Sequence, residues 1–268
     1  MGNDLLTTRE AAELLGVGTT SVKRWADAGI LECVRTPGRH RRFRRLDVEQ
    51  MLENGAAANG QDTQPNGGWV DLLIRGTKPV DVARALQAER DARGAWWRVA
   101  EAIEPVLVEI GDRWRAGELT ILQEHLASER LSRGLSRCCE AIEVPDDAPA
   151  CLLVTARNET HTLGLALFEL CVREAGWRTL WSGQNTPTES VREFLDMRHG
   201  RMVAVSASSA LSDPQALEDE ARTLGSICQQ KGGHLLLGGN GPWPETPTFG
   251  YRIRTFERLA EVLRALSS

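Results

Sequence analysis

From Cys151 onward the chain alternates between two hydrophobic rhythms, and this alternation restricts the fold more than any other feature. The runs CLLVTA, WRTLWS, RMVAVSA and HLLLG read as strands, the first of them as a buried one. Between them lie stretches with apolar residues at helical spacing, opening at His161, Pro187 and Pro214, and a last strand-like YRIRT precedes ERLAEVLRAL. Strands alternating with helices predict an α/β, doubly wound parallel sheet over residues 146–268, with right-handed crossovers. In such a sheet ligands bind beyond the carboxyl ends of the strands. The loops at those ends are therefore where function is sought.

Ahead of this region, residues 69–145 read as helical throughout. Ile103, Val106, Leu107, Ile110 and Trp114 recur at i, i+3, i+4, i+7 and i+11. After the break Arg115–Gly117 the spacing continues through Leu119, Leu122, Leu126, Leu131 and Leu135. Three or four such helices predict a small central helical bundle. Residues 54–68, NGAAANGQDTQPNGG, hold one charge and no large apolar residue. They read as a flexible linker spanning roughly 20 Å root-mean-square, too loose to carry a rigid twist. Any signal between the two ends is expected to pass through oligomerisation.

Residues 1–53 form an N-terminal unit. TTRE (Thr7–Glu10) is a capping box, opening a short helix with Ala11, Leu14 and Leu15 on one face. GVG turns the chain into TTSVKRWADAG, a second helix with Val22 and Trp25 inward and Ser21, Lys23 and Arg24 outward. Two short helices about a glycine turn are the pattern of a helix-turn-helix. ILECVR and RHRRFR then flank TPG as the arms of a β-hairpin. In the returning arm Phe43 faces the core with Arg41 and Arg39, while Arg42, His40 and Arg44 face the other way. LDVEQML closes the unit as a small helix.

The net charge of −5 hides an asymmetry: residues 1–54 carry 9 Lys+Arg against 8 Asp+Glu, and the remainder 23 against 29. Arg35–Arg45 holds six Arg and one His with no acid. A cationic finger on an acidic chain points to a polyanion. Helix pair, turn and basic wing, in that order, resemble the MerR-type winged DNA-binding domain, whose wing commonly ends in a run like HRRF. The resemblance implies a double-stranded DNA operator as partner. Arg39, His40, Arg41, Arg42 and Arg44 would grip phosphates, and Ser21, Lys23 and Arg24 would read sequence.

No apolar run reaches membrane-spanning length, and MGNDLLTTRE lacks a signal-peptide pattern, so no membrane partner and a cytoplasmic location are expected. The 6 Cys include no CxxC pair and no metal-ligand spacing. They read as buried reduced thiols.

One of the 5 histidines, His161, sits at the mouth of the first α/β strand, in ARNETHTLG. A lone histidine there is ordinarily a polar group at a helix entrance. Three features favour a ligand instead. Glu159 is placed to take the proton of one ring nitrogen, which fixes the tautomer and raises the basicity of the other nitrogen. Gly164, Gly238 and Gly239 stand where something large could approach the backbone. Ser206 and Ser208 offer hydroxyls at the same sheet edge. A single metal-binding His without a second protein ligand suggests a metal that arrives held in a macrocycle. His199 and His234 have no chemical context and read as structural, and Trp96-Trp97 as bundle core or interface.

Glu159-x-His161-x-x-Gly164, Ser206-x-Ser208 and Gly238-Gly239 resemble the signature of the cobalamin-binding Rossmann-like domain, D/ExHxxG followed by Ser-x-Leu/Thr and Gly-Gly. Ser208 departs from it, standing where Leu or Thr is usual. The resemblance implies that His161 is the lower axial ligand to cobalt, and that Ser206, Ser208 and the glycines line a slot for the displaced nucleotide tail. Trp114, followed after nine residues by Glu124-His125, matches the Trp-x9-Glu-His pattern of the helical cap in CarH/LitR-type photoreceptors, which bind adenosylcobalamin. Together the resemblances cover nearly the whole chain. They imply that Trp114 lies over the adenosyl group, that Glu124 accepts hydrogen bonds from ribose hydroxyls, and that His125 supports that group or the cap.

The expectation that follows from the family is a non-enzymatic, light-responsive transcriptional regulator, read as a repressor although the sequence itself does not separate repression from activation. Adenosylcobalamin would favour a homo-oligomer in the dark, a tetramer or dimer that binds the operator by avidity, and visible light would break the cobalt–carbon bond and release it. Some members carry a His directly after the cap Trp; here that position is Arg115. Two other readings stay open: a regulator that senses cobalamin as a metabolite, without photochemistry, and a corrinoid-dependent enzyme component. Subtracting the winged domain and the cobalamin half leaves fewer residues than a catalytic barrel of about 200 needs, which weighs against the second. The operator, the target genes and the upper ligand preference are not written in the sequence.

Overall fold

The computed structural model describes residues 5–14, 19, 22–23, 26, 31, 33–35, 41–49, 67–75, 78–211 and 213–266. The chain divides into two compact units, Met1–Pro65 and Asn66–Ser268.

In the first unit, β1 (Leu5–Thr7) leads directly into α1 (Thr8–Leu14). The capping box forms as its residues require: Glu10 N donates to Thr7 Oγ1 at 3.2 Å, and Thr7 N donates to Glu10 Oε2 at 2.7 Å. β2 (Val34–Arg35) and β3 (Arg41–Arg44) pair antiparallel, as the hairpin pattern predicts, with Val34 opposite Arg42. β1 adds to the other side of β3, giving the order β1-β3-β2. That third strand is too short to show an alternation in the sequence. Leu6, Ala11, Ala12, Val22, Leu31, Phe43 and Val48 form the core. Val22 is buried and Lys23 exposed as predicted, whereas Leu14, expected on the buried face of α1, is exposed. Residues 45–49 are helical. Leu15, Ser21, Arg24, Trp25, Arg39 and His40 lie outside the described residues, as do linker positions 54–66.

The second unit begins with four helices: α2 (Gly67–Ile74), α3 (Pro79–Arg93), α4 (Trp96–Arg115) and α5 (Ile121–Glu140). α2 thus starts inside the stretch that composition marks as linker. α3 opens on Pro79, whose missing N–H costs nothing in a first turn, and closes on Gly94 at φ 82°. α5 has a full capping box between Thr120 and Gln123. Ile103, Val106, Ile110, Leu131 and Leu135 are buried as their spacing predicts. Leu122 and Leu126 are not, at 66% and 40% exposure. The cause is a phase error: from Leu126 to Leu131 is five residues, about 140° around the helix, so the two leucines lie off the face that Ala127, Leu131, Leu135 and Cys138 bury.

The rest is a five-stranded sheet with order β5-β4-β6-β7-β8, every neighbouring pair parallel. Its elements are β4 (Ala150–Thr155), α6 (Leu163–Glu174), β5 (Arg178–Gly183), α7 (Thr188–Asp196), β6 (Gly200–Ser206), α8 (Pro214–Lys231), β7 (His234–Gly238), β8 (Tyr251–Arg252) and α9 (Phe256–Leu266). Successive strand residues face opposite sides. Leu152, Val154, Val203 and Val205 pack with α7 and α8. Cys151, Leu153, Met202 and Ala204 pack with α6, α9 and the helical bundle in one continuous core. The sheet is therefore doubly wound, as predicted. Glu174 of α6 ties the bundle down, accepting from Arg90 Nε at 2.7 Å and from Trp96 N at 2.9 Å. Five of the cysteines are buried free thiols. Among the described residues no helix is long and apolar enough to cross a membrane.

Candidate functional site

The strand order reverses between β4 and β6, the first and third strands of the sheet. At such a switch point the chains leave in opposite directions and open a crevice at the carboxyl end. The loop after β4 carries Glu159 and His161, and the loop after β6 carries Ser208. The topology alone brings the three together.

Glu159 organises the crevice. Its side chain is 1% exposed, and it takes three contacts. Oε1 accepts from His161 N at 2.7 Å and lies 2.7 Å from His161 Nδ1; Oε2 accepts from Ser208 N at 2.6 Å. Burial pushes this carboxyl group up, but the hydrogen bonds from the His161 and Ser208 amides outweigh it, and the net effect holds the group below its ordinary value. Glu159 is therefore an anion at neutral pH. An anion against Nδ1 keeps the proton there, which leaves the lone pair on Nε2. The His161 side chain is 64% exposed. Ser208 Oγ, 3.2 Å from His161 Nδ1, also accepts from Ala210 N. Among the described residues no cluster of three or more His, Cys, Asp or Glu could hold a metal. His161 thus offers one nitrogen with no protein partner ligand. That donor set fits a metal whose other positions are already filled.

The glycines divide into two kinds. Gly239 has φ 81°, and a Cβ there would stand 2.3 Å from the Ala207 carbonyl oxygen; the fold itself requires it. At Gly164 an added Cβ would meet only Ser206 Oγ at 3.9 Å, and at Gly238 its nearest neighbour would be Val205 O at 3.9 Å. Nothing among the described residues demands glycine at those two positions. Gly164 is exposed and leaves backbone open for an approaching group, whereas Gly238 is buried.

On the bundle side, Trp114 ends α4 at 45% exposure, although its spacing continues the buried stripe. The helix stops one residue later and turns through Gly117 at φ 75°, so the indole projects beyond the core. Arg115 folds back onto Asp112 at 2.6 Å. Across the turn, Glu124 lies in the first turn of α5, where the helix dipole favours an anion. It accepts from Ser128 Oγ at 2.9 Å, and His125 Nε2 lies 3.5 Å from its other oxygen. Asn240, in the loop after Gly238 and Gly239, donates to Glu104 of α4 at 3.3 Å and so joins sheet edge and bundle.

The sequence did not point to the residues that fasten these loops. Arg252 donates to the carbonyls of Leu237, Ile253 and Gly239, bracing the Gly-Gly turn from β8. Glu220, Asn185 and Gln184 hold the loop of His161. In the first unit, Lys23 and Arg44 are exposed and Arg41 and Arg42 half-buried on the hairpin strand.

Residues 5–56 match the helix-turn-helix domain family, and residues 79–138, from α3 into α5, match the B12 binding domain family. The chain joins a helix-turn-helix domain to a B12 binding domain, which makes it a DNA-binding, cobalamin-binding regulator of transcription. It is similar to the HTH-type transcriptional repressor CarH of Myxococcus xanthus, with 26% identity over 222 residues covering 70% of this chain and 74% of that one. The two domain matches and this similarity together support a regulator of the CarH type. The fold of the monomethylamine corrinoid protein of Methanosarcina barkeri is also similar. Its TM-score is 0.53 at 15% identity, over 76% of this chain and 98% of that one.

Proposed function

We propose that the protein is a light-responsive repressor that uses adenosylcobalamin as chromophore, is not an enzyme, and acts in the cytoplasm. The observation that carries this reading is the Glu159–His161 pair at the switch point, with Nδ1 engaged at 2.7 Å on a ring that is mostly exposed. His161 Nε2 would hold the cobalt. Gly164, Ser206, Ser208, Gly238 and Gly239 would receive the nucleotide tail, and Trp114, Glu124 and His125 the adenosyl group. When bound, adenosylcobalamin supplies a cobalt–carbon bond that visible light breaks.

The residues of the chain have separate tasks in this reading. Glu159 keeps the proton on Nδ1, and Ser208 N fixes the carboxylate that does so. Trp114 shields the upper side of the crevice from water, and Glu124 orients hydroxyl groups beside it. Arg115, paired to Asp112, puts no imidazole directly after the indole. Wing residues Arg39, His40, Arg41, Arg42 and Arg44 grip operator phosphates, and Ser21, Lys23 and Arg24 read bases. Several such heads in one dark homo-oligomer gain by avidity, which is lost when the oligomer separates.

The test is operator binding and oligomer size, measured by gel shift and light scattering on protein loaded with adenosylcobalamin, before and after green light. Dark binding by an oligomer that dissociates on illumination supports the proposal. Cofactor-dependent binding indifferent to light would instead identify a regulator that senses cobalamin as a metabolite.

A further inference from the structure

Resting on the cobalamin reading of His161, we propose that Asn185 and Gln184, in the turn after β5, are positioning residues that aim His161 at the metal. Asn158 and Asn185, with φ 65° and 52°, are the two non-glycine residues of positive φ among those described. They meet: Asn158 N donates to Asn185 Oδ1 at 3.3 Å. One residue along, Gln184 Nε2 donates to the Thr160 carbonyl at 3.0 Å. The two bonds straddle Glu159 on the backbone, immediately before His161.

The clasp has its own support. Thr186 Oγ1 donates to Ser182 Oγ at 3.0 Å and to the Gly183 carbonyl at 3.3 Å, bracing the turn that presents Gln184 and Asn185. From the opposite side Glu220 accepts from Arg157 N at 3.2 Å. The His161 ring is mostly exposed. Its direction therefore depends on Glu159, on Ser208 Oγ at 3.2 Å from Nδ1, and on the backbone at residues 158–161. The left-handed conformation at Asn158 costs free energy and contributes nothing to the core. It is explained if it turns the loop so that Glu159 points inward while His161 points out. Orientation of a ligating histidine by surrounding hydrogen bonds typically changes metal affinity 10- to 100-fold.

The experiment separates the hydrogen bond from the backbone. Asn185→Gly tolerates positive φ but removes the acceptor, and Asn185→Asp tolerates it and keeps the acceptor. Wild type, Asn185→Asp and the double variant Asn185→Gly/Gln184→Ala are titrated with adenosylcobalamin, and visible absorption reports the histidine-ligated fraction. Melting temperature is measured on each without cofactor. The expected result is wild-type behaviour from Asn185→Asp. The double variant should melt no more than about 8 °C below wild type, since it loses only two exposed hydrogen bonds. It should nevertheless lose about tenfold in affinity and show a reduced histidine-ligated fraction. Equal affinity and spectrum in the double variant would overturn the positioning role while leaving the cobalamin reading intact. So would equal loss in Asn185→Asp. A wild type that binds no cobalamin overturns the reading of His161 and this proposal with it.

Discussion

The substitution Glu159→Gln removes one charge and changes almost nothing in shape, so its consequences can be worked out contact by contact. Glu159 receives three donors: His161 N and His161 Nδ1 on Oε1, and Ser208 N on Oε2. A carboxamide has one acceptor oxygen. If that oxygen takes the position of Oε1, the amide NH2 faces Ser208 N–H; if it takes the other, both His161 donors are lost. At least one charge-assisted bond disappears in either case, and a buried donor is left opposing another donor. Hydrogen bonds to charged groups are worth about 1.5–3 kcal/mol. For a unit of this size each kcal/mol moves the melting temperature by about 2–4 °C. Glu159→Gln should therefore lower it by about 3–12 °C without cofactor, and weaken cobalamin retention about 10- to 100-fold. His161→Ala keeps the backbone donor and loses only the Nδ1 contact to Glu159, so it should abolish histidine ligation and lower the melting temperature by no more than Glu159→Gln does. Melting curves of both variants, followed by desalting after cofactor loading, test the pair. A Glu159→Gln protein that melts and retains cofactor like wild type would refute the role given to the carboxylate.

Other consequences are accessible to simple measurements. Gly134→Val should destabilise the bundle by about 1–3 kcal/mol, because even a Cβ there would stand 2.6 Å from Val82 Cγ1 of α3; thermal denaturation reads this directly. Thr120→Ala removes the cap of α5 and should cost about 1 kcal/mol, visible in the same melt. Arg44→Ala should weaken operator binding and reduce the slope of log K against log salt by about 0.9, provided the exposed guanidinium contacts one phosphate. Burial pushes His234 below its ordinary value of 6.5. Its neutral form thus adds stability that is full above that value and lost as pH falls through it towards the lowered one. Denaturant titrations of His234→Gln against wild type, from pH 8 to pH 5, should show that part of the acid sensitivity removed.

The α/β half was legible because its strands are short, apolar and cleanly interrupted, and periodicity suffices to separate buried strand from amphipathic helix. The Glu159–His161 geometry was legible for a related reason: both residues lie on one loop, and a two-residue spacing leaves few arrangements. What periodicity misjudged was phase. Leu122, Leu126 and Trp114 continue an apolar spacing, yet one falls in the last turn of its helix and two lie off the buried face, since burial depends on where neighbouring helices stop. The fastening of the loops was invisible for another reason. Gln184, Asn185, Glu220 and Arg252 meet their partners across strand connections. A single polar residue in a turn carries no sign of the backbone it will meet 24 or 27 residues away.

The most direct measurement is the visible spectrum of protein loaded with adenosylcobalamin in darkness, desalted, and recorded again after green light, beside His161→Ala treated identically. Wild type should keep the cofactor with a histidine-ligated spectrum that changes on illumination, and His161→Ala should lose it or show no histidine ligation. A wild-type protein that leaves the desalting column colourless, or a His161→Ala variant with the wild-type spectrum, would contradict the assignment of His161 as the cobalt ligand.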